Sequence, residues 1–185
     1  MSTIKVENLT GITSGANANK IIVPAGQTLD ASNGFIAPAG HILQTLQGQD
    51  NTFAANTSSS YIATNLSLAI TPKYATSKIL VTINVNGVFV SALTTAGSLA
   101  LYADSGSGYA SLIEFDNNLG YAEAGAGRIF GNSSGFQFLH DINTTNATTY
   151  KVYLKRATGS GSIHLNNYAV SNVTRSSIVC QEIAQ

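Results

Sequence analysis

Three histidines, one cysteine and a thin scatter of acids are the residues of this chain whose types could do chemistry. His41, His140 and His164 fall in no His-x-His, His-Glu-x-x-His or Cys/His spacing, so the sequence offers no zinc or iron site. A calcium loop gathers acidic oxygens within a few residues, whereas Asp104, Glu114, Asp116 and Glu123 are dispersed. His140 and Asp141 are neighbours, and on a strand their side chains leave opposite faces, so neither can orient the other behind a nucleophile. Glu114 and Asp116 are the best-spaced pair for glycoside cleavage, but acids flanking a turn produce the same spacing. The glycines of Tyr121–Arg128 lack the Lys-Ser/Thr of a phosphate loop and the helix that should follow it. Cys180 lies in the last apolar run, reads as a small buried hydrophobe, and has no second cysteine to pair with. The expectation is a protein that is not an enzyme and carries no metal or cofactor.

Binding chemistry has more support. Tyr102, Tyr109, Tyr121, Phe130 and Tyr168 read as lying in or beside loops, close in sequence to Asn117, Asn118 and Asn132. Aromatic faces with amide donors and acceptors suit a sugar ring, and tyrosine presents area at small entropic cost. Tyr109, Asn117, Asn118, Tyr121 and Asn132 are therefore the candidate receptor- or glycan-binding set. Tyrosines that cap strand ends or line a subunit interface would look the same.

The elements that must position these residues are strands. Charged residues make up only 10% of the 185, and nine Lys plus Arg balance nine Asp plus Glu. Ser, Thr, Asn and Gly take the place of charge; they disfavour helix and suit half-exposed strands joined by tight turns. No Lys/Arg cluster exceeds Lys155-Arg156, which excludes an electrostatic nucleic-acid face. The opening residues show no signal-peptide core, and no apolar run approaches the ~20 residues of a membrane-spanning helix. A cytoplasmic site of synthesis is expected, with the Asn-x-Ser/Thr triplets a by-product of composition. A neutral, sparsely charged surface gives copies little reason to repel one another.

Clean period-two alternation marks the strand candidates. In Lys78–Val90, Ile79, Val81, Ile83 and Val85 alternate with Leu80, Thr82, Asn84 and Asn86, until Gly87 interrupts as a candidate bulge. Other candidates are 62–70, 98–103, 110–115, 127–130, 136–141, 150–157, 162–170 and 176–183, separated by turns that include Asp116–Asn118 and Gly131–Gly135. Such short strands fit an antiparallel β-sandwich of jelly-roll type covering residues 61–185. The polar run 47–60 reads as a linker. Residues 1–46 read as an extended, shaft-like attachment segment, because Ile22–Leu29 and Ile36–Leu43 are near-repeats built on Pro-Ala-Gly corners. Two such units cannot cover Ile22, Leu29, Ile36 and Leu43 alone, so these four are expected to anchor copies around a common axis.

Several passages resemble virion structural proteins of tailed bacteriophages, marine and cyanobacterial ones among them. They are Ile4–Thr10, Gly26–Asp30, Ala39–Gln44, Thr71–Val81 and the closing pattern Thr149–Tyr153 with Glu182-Ile183. The resemblance implies a homotrimeric fibre or spike, anchored to other virion proteins by its N-terminal segment after assembly in the host cytoplasm. It also implies a C-terminal jelly roll of tumour-necrosis-factor or C1q shape. A capsid-decorating or head-fibre protein, or a module that recognises host-surface glycan through C-terminal loops, are the alternatives. Ala122–Gly127 has no counterpart in the resemblance.

Overall fold

The computed structural model describes residues 13–16, 25, 38–119, 132–166 and 174–185, leaving aside the side chains of 116–119 and 132. The chain divides into two compact units, Met1–Ile36 and Ala37–Gln185. Only 13–16 and 25 are described in the first unit, so Ile22, Leu29 and Ile36 lie outside the described residues. The second unit is an all-β sandwich of two antiparallel sheets.

Its strands are β1 (Ile42–Asp50), β2 (Ala54–Asn56), β3 (Ile62–Ile70), β4 (Lys78–Val90), β5 (Ala96–Asp104), β6 (Ala110–Leu119), β7 (Asn132–Asp141), β8 (Thr148–Thr158), β9 (Ile163–Leu165) and β10 (Ser176–Ile183). One sheet runs β1-β10-β4-β7, and the far end of β4 continues through β9 to β2. The other runs β3-β8-β5-β6. Apart from the β5–β6 hairpin, the eight long strands alternate between the sheets along the chain. This winding is the jelly roll.

Alternation explains the core. Ile79, Val81, Ile83 and Val85 of β4 meet Ile178 and Cys180 of β10 and, across the sandwich, Leu66, Leu99, Leu101, Tyr150, Val152 and Leu154, all fully buried. The β4 ladder shifts register between Val85 and Val88, where Gly87 holds φ at 61°, as expected of a bulge there. The bend sends Phe89 and Val90 to pair with β9. At Gly97 of β5, a Cβ would come within 2.3 Å of Ile163, so the absent side chain makes room for the short strand.

Four expectations are corrected. Residues 47–60 hold the end of β1 and all of β2, so the sandwich starts before residue 61. The stretch reads as loop because β1 is an edge strand whose outward side chains, Gln47 and Gln49 among them, have no need to be apolar. Leu43, expected in a shaft, is in β1 at a register shift between Ile42 and Gln44. The expected turns at Asp116–Asn118 and Gly131–Gly135 are strand from Asp116 to Leu119 and from Asn132 to Gly135. Backbone pairing overrides their turn-prone composition: Leu99 faces Asp116, and Asn84 faces Gly135. Phe136–Asp141 is thus the end of a longer strand. The expected strand 162–170 is strand over Ile163–Leu165 and leaves β geometry at Asn166, whose φ is 56°. Residues 127–130 lie outside the described residues.

Candidate functional site

Among the described residues, the outer face of the β3-β8-β5-β6 sheet carries the main cluster of chemistry. Strand β8 turns Tyr150, Val152 and Leu154 inward and Lys151, Tyr153 and Lys155 outward. Across the ladder, Lys151 faces Tyr102, Tyr153 faces Ala100, and Lys155 faces Ser98. Ala63 flanks Tyr153 from β3. Small neighbours on both sides leave the Tyr153 ring room to lean, and it stacks on Tyr102 with centroids 4.0 Å apart.

One end of this face is internally satisfied. The Tyr61 hydroxyl donates to Ser98 Oγ at 2.7 Å, and Ser98 donates to Glu114 Oε1 at 2.6 Å. Lys155 Nζ reaches Glu114 Oε2 at 3.2 Å and lies 4.5 Å from the Tyr61 ring centroid. The hydrogen bond from Ser98 holds the Glu114 carboxyl below its usual range, while burial raises the Tyr61 phenol. Glu114 is thus tied to a lysine and a serine, while the side chain of Asp116, its partner in the glycosidase pairing, lies outside the described residues.

The other end is open. Tyr109 lies 5.9 Å from Tyr153, and Lys151 Nζ lies 5.4 Å from the Tyr109 ring centroid. Among the described residues the hydroxyls of Tyr102, Tyr109 and Tyr153 and the ammonium of Lys151 make no hydrogen bond. Of the expected binding set, Tyr109 belongs here. Asn117 and Asn118 are on β6 and Asn132 starts β7, with their side chains outside the described residues, as is Tyr121 entirely. Tyr102, expected near a loop, is in mid-sheet; Phe130 and Tyr168 lie outside the described residues. Sequence reasoning missed Tyr61, Lys151 and Tyr153. The outward phase of β8 alone would have found the last two.

Other reactive groups serve packing. Cys180 is buried, and burial pushes its thiol up to about 12. Ser162 Oγ lies 2.6 Å from His164 Nε2, the spacing of a nucleophile and its base, but that hydroxyl also meets Ser91 Oγ at 2.8 Å and ties β9 to the end of β4. His164 packs between Phe53 and Phe89 at 5.1 and 5.5 Å, and burial lowers its basicity. His140 Nδ1 lies 2.8 Å from the core Tyr150 hydroxyl and is likewise shifted down by burial. The buried Glu182 carboxylate accepts from the Lys73 and Tyr74 amides at 2.8 and 3.2 Å and from Gln44 Nε2 at 2.6 Å. Among the described residues no group of three or more His, Cys, Asp or Glu could hold a metal ion.

No protein-family model and no curated protein matches the chain. Among solved structures it is similar to one of the infectious bursal disease virus Gx strain, with 13% identity and a TM-score of 0.42, covering 88% of this chain and 42% of that one. A VP2 subviral particle of the same virus gives 13% identity and 0.42, covering 94% and 46%. Its T=1 particles give 11% and 0.37, covering 88% and 41%. The chain thus spans less than half the length of each.

Proposed function

We propose that this chain is a non-enzymatic structural subunit of a bacteriophage particle, a spike- or fibre-type protein that assembles as a homotrimer. One observation carries the assembly: the outer face of the β1-β10-β4-β7 sheet is almost free of charge. Cross-strand rows on that face run Thr45-Gln181-Leu80-Leu139, Gln47-Val179-Thr82-Gln137 and Gln49-Ser177-Asn84-Gly135. The fourth row, Ile42-Ile183-Lys78-Asp141, holds two charges that neutralise each other at 3.0 Å. Leu139 is 48% exposed and Ile42 54%, so the face offers apolar area that water covers in a lone chain. Desolvating amides, hydroxyls and methyls costs far less than desolvating ions, and the amides can pair with those of a neighbour. Closed symmetry would limit that association to a finite particle part. The virion assignment rests on the sequence resemblance and on an all-β sandwich with a nearly uncharged outer face.

Mass photometry of the full chain is expected to give three times 19.2 kDa. A monomer at micromolar concentration would overturn the trimer. Immunogold labelling of intact phage particles tests the particle address, and unlabelled particles that contain the chain by mass spectrometry would count against a surface position.

A further inference from the structure

The two ends of the tyrosine face differ in what they leave unpaired. At the Tyr61 end every polar group has a partner: phenol to serine, serine to carboxylate, carboxylate to ammonium. At the Tyr109 end, three tyrosine rings and one ammonium adjoin one another by ring stacking and by Lys151 over Tyr109, with no hydrogen bond from their polar groups among the described residues. A surface that only needed covering would not keep donors and acceptors of both kinds together on rings stiffened by their neighbours.

Charge narrows the ligand. Lys151 and Lys155 are offset by Glu114 and by Asp104, whose field reaches Tyr153. Asp104 is itself occupied by the Gly106 and Gly108 amides at 2.8 and 2.9 Å. Among the described side chains of this face the two lysines and the two acids offset one another, which leaves no strong pull on a polyanion. Donor and acceptor hydroxyls, one ammonium and one half-exposed ring answer to a neutral, hydroxyl-rich chain. We infer that the open end of this face, Tyr102, Tyr109, Tyr153 and Lys151, is a binding site for neutral polysaccharide. The site lies on a sheet face, not in the loops that the sequence pointed to. Each copy would bind weakly, and the trimer proposed above would multiply that by avidity without altering the site.

The test is affinity electrophoresis of the full chain in gels holding dextran, mannan or galactan, with the polyanion dextran sulfate alongside. At least one neutral polymer is expected to retard the protein, and 0.5 M salt (about a 4 Å screening length) is expected to leave the retardation intact. Tyr153→Phe and Lys151→Met remove single polar groups while keeping the packing, and each is expected to weaken retardation about fivefold to tenfold. Tyr61→Phe, at the satisfied end, is expected to leave it unchanged. Retardation by dextran sulfate alone that salt abolishes, equal retardation of Tyr153→Phe and wild type, or no retardation by any neutral polymer would each overturn the site. A monomeric protein that is still retarded would overturn only the trimer.

Discussion

The two outer faces of the sandwich solve the same problem in opposite ways. Both cover the same core with period-two strands, and both turn alternate residues to the outside. On the β3-β8-β5-β6 face those residues are tyrosines, lysines and a glutamate that satisfy one another at one end and present free groups at the other. On the β1-β10-β4-β7 face they are glutamine, threonine, asparagine and aliphatic side chains with a single neutralised ion pair. A face that pairs its own charges can stay in water or meet hydroxyls; a face without charge is cheapest when buried against something equally uncharged. The division of labour proposed above, one face for assembly and one for a ligand, would follow from composition at alternate positions.

The comparison breaks most readily at the uncharged face. Leu139→Lys combined with Val179→Lys puts two cations per copy into the proposed contact, and the expected result is a folded monomer by mass photometry with an unchanged circular-dichroism spectrum. The same substitutions should not disturb polysaccharide retardation per copy. Next in size is Glu182→Ala, which strips three donors of a buried acceptor next to the start of β4. About 1–3 kcal/mol should be lost per stranded polar contact, read as a lower urea midpoint. Ser98→Ala cuts the chain from Tyr61 to Glu114 and is expected to cost about 1 kcal/mol by the same measurement.

Acid should separate the regions in order. The folded-state basicity of His140 and His164 lies below the ordinary 6.5, so the folded protein binds fewer protons than the unfolded chain and loses stability as pH falls through and below that value. Glu114 is held below 4.5, so its contribution is complete above that value and disappears as pH falls further, toward its lowered folded value. Melting temperature against pH should therefore fall in two stages. His140→Phe should flatten the first, and Ser98→Ala should flatten the second. The smallest expected effect is that of Tyr153→Phe on stability, within about 0.5 kcal/mol, because its hydroxyl has no hydrogen-bond partner among the described residues.

The jelly roll was legible where one face of a strand is buried. In β4 the aliphatic residues, Leu80 apart, mark the core side, and the strand starts and ends where its pattern does. It was illegible where a strand borders solvent, as in β1 and at the start of β7, because glutamine, asparagine, serine and glycine there look like loop until their backbone pairing is known. The candidate site was half legible for a related reason. Tyr109 advertises itself beside a glycine-rich turn, but Lys151 and Tyr153 are conspicuous only once the inward partners Tyr150 and Val152 have fixed the phase of β8. Glu182 was legible only as part of a closing pattern, since its three donors come from residues more than a hundred positions away.

Strand β10 occupies the centre of its sheet, between β1 and β4, yet follows both in the chain. During synthesis the β1 and β4 edges that will flank it have nothing to pair with until Ser176–Ile183 leaves the ribosome, so this sheet closes only after translation has passed that point. The uncharged outer face is completed in the same step, because Val179, Gln181 and Ile183 form its second column. The proposed self-association would thereby be withheld from partly made chains, and copies would meet one another only as finished sandwiches.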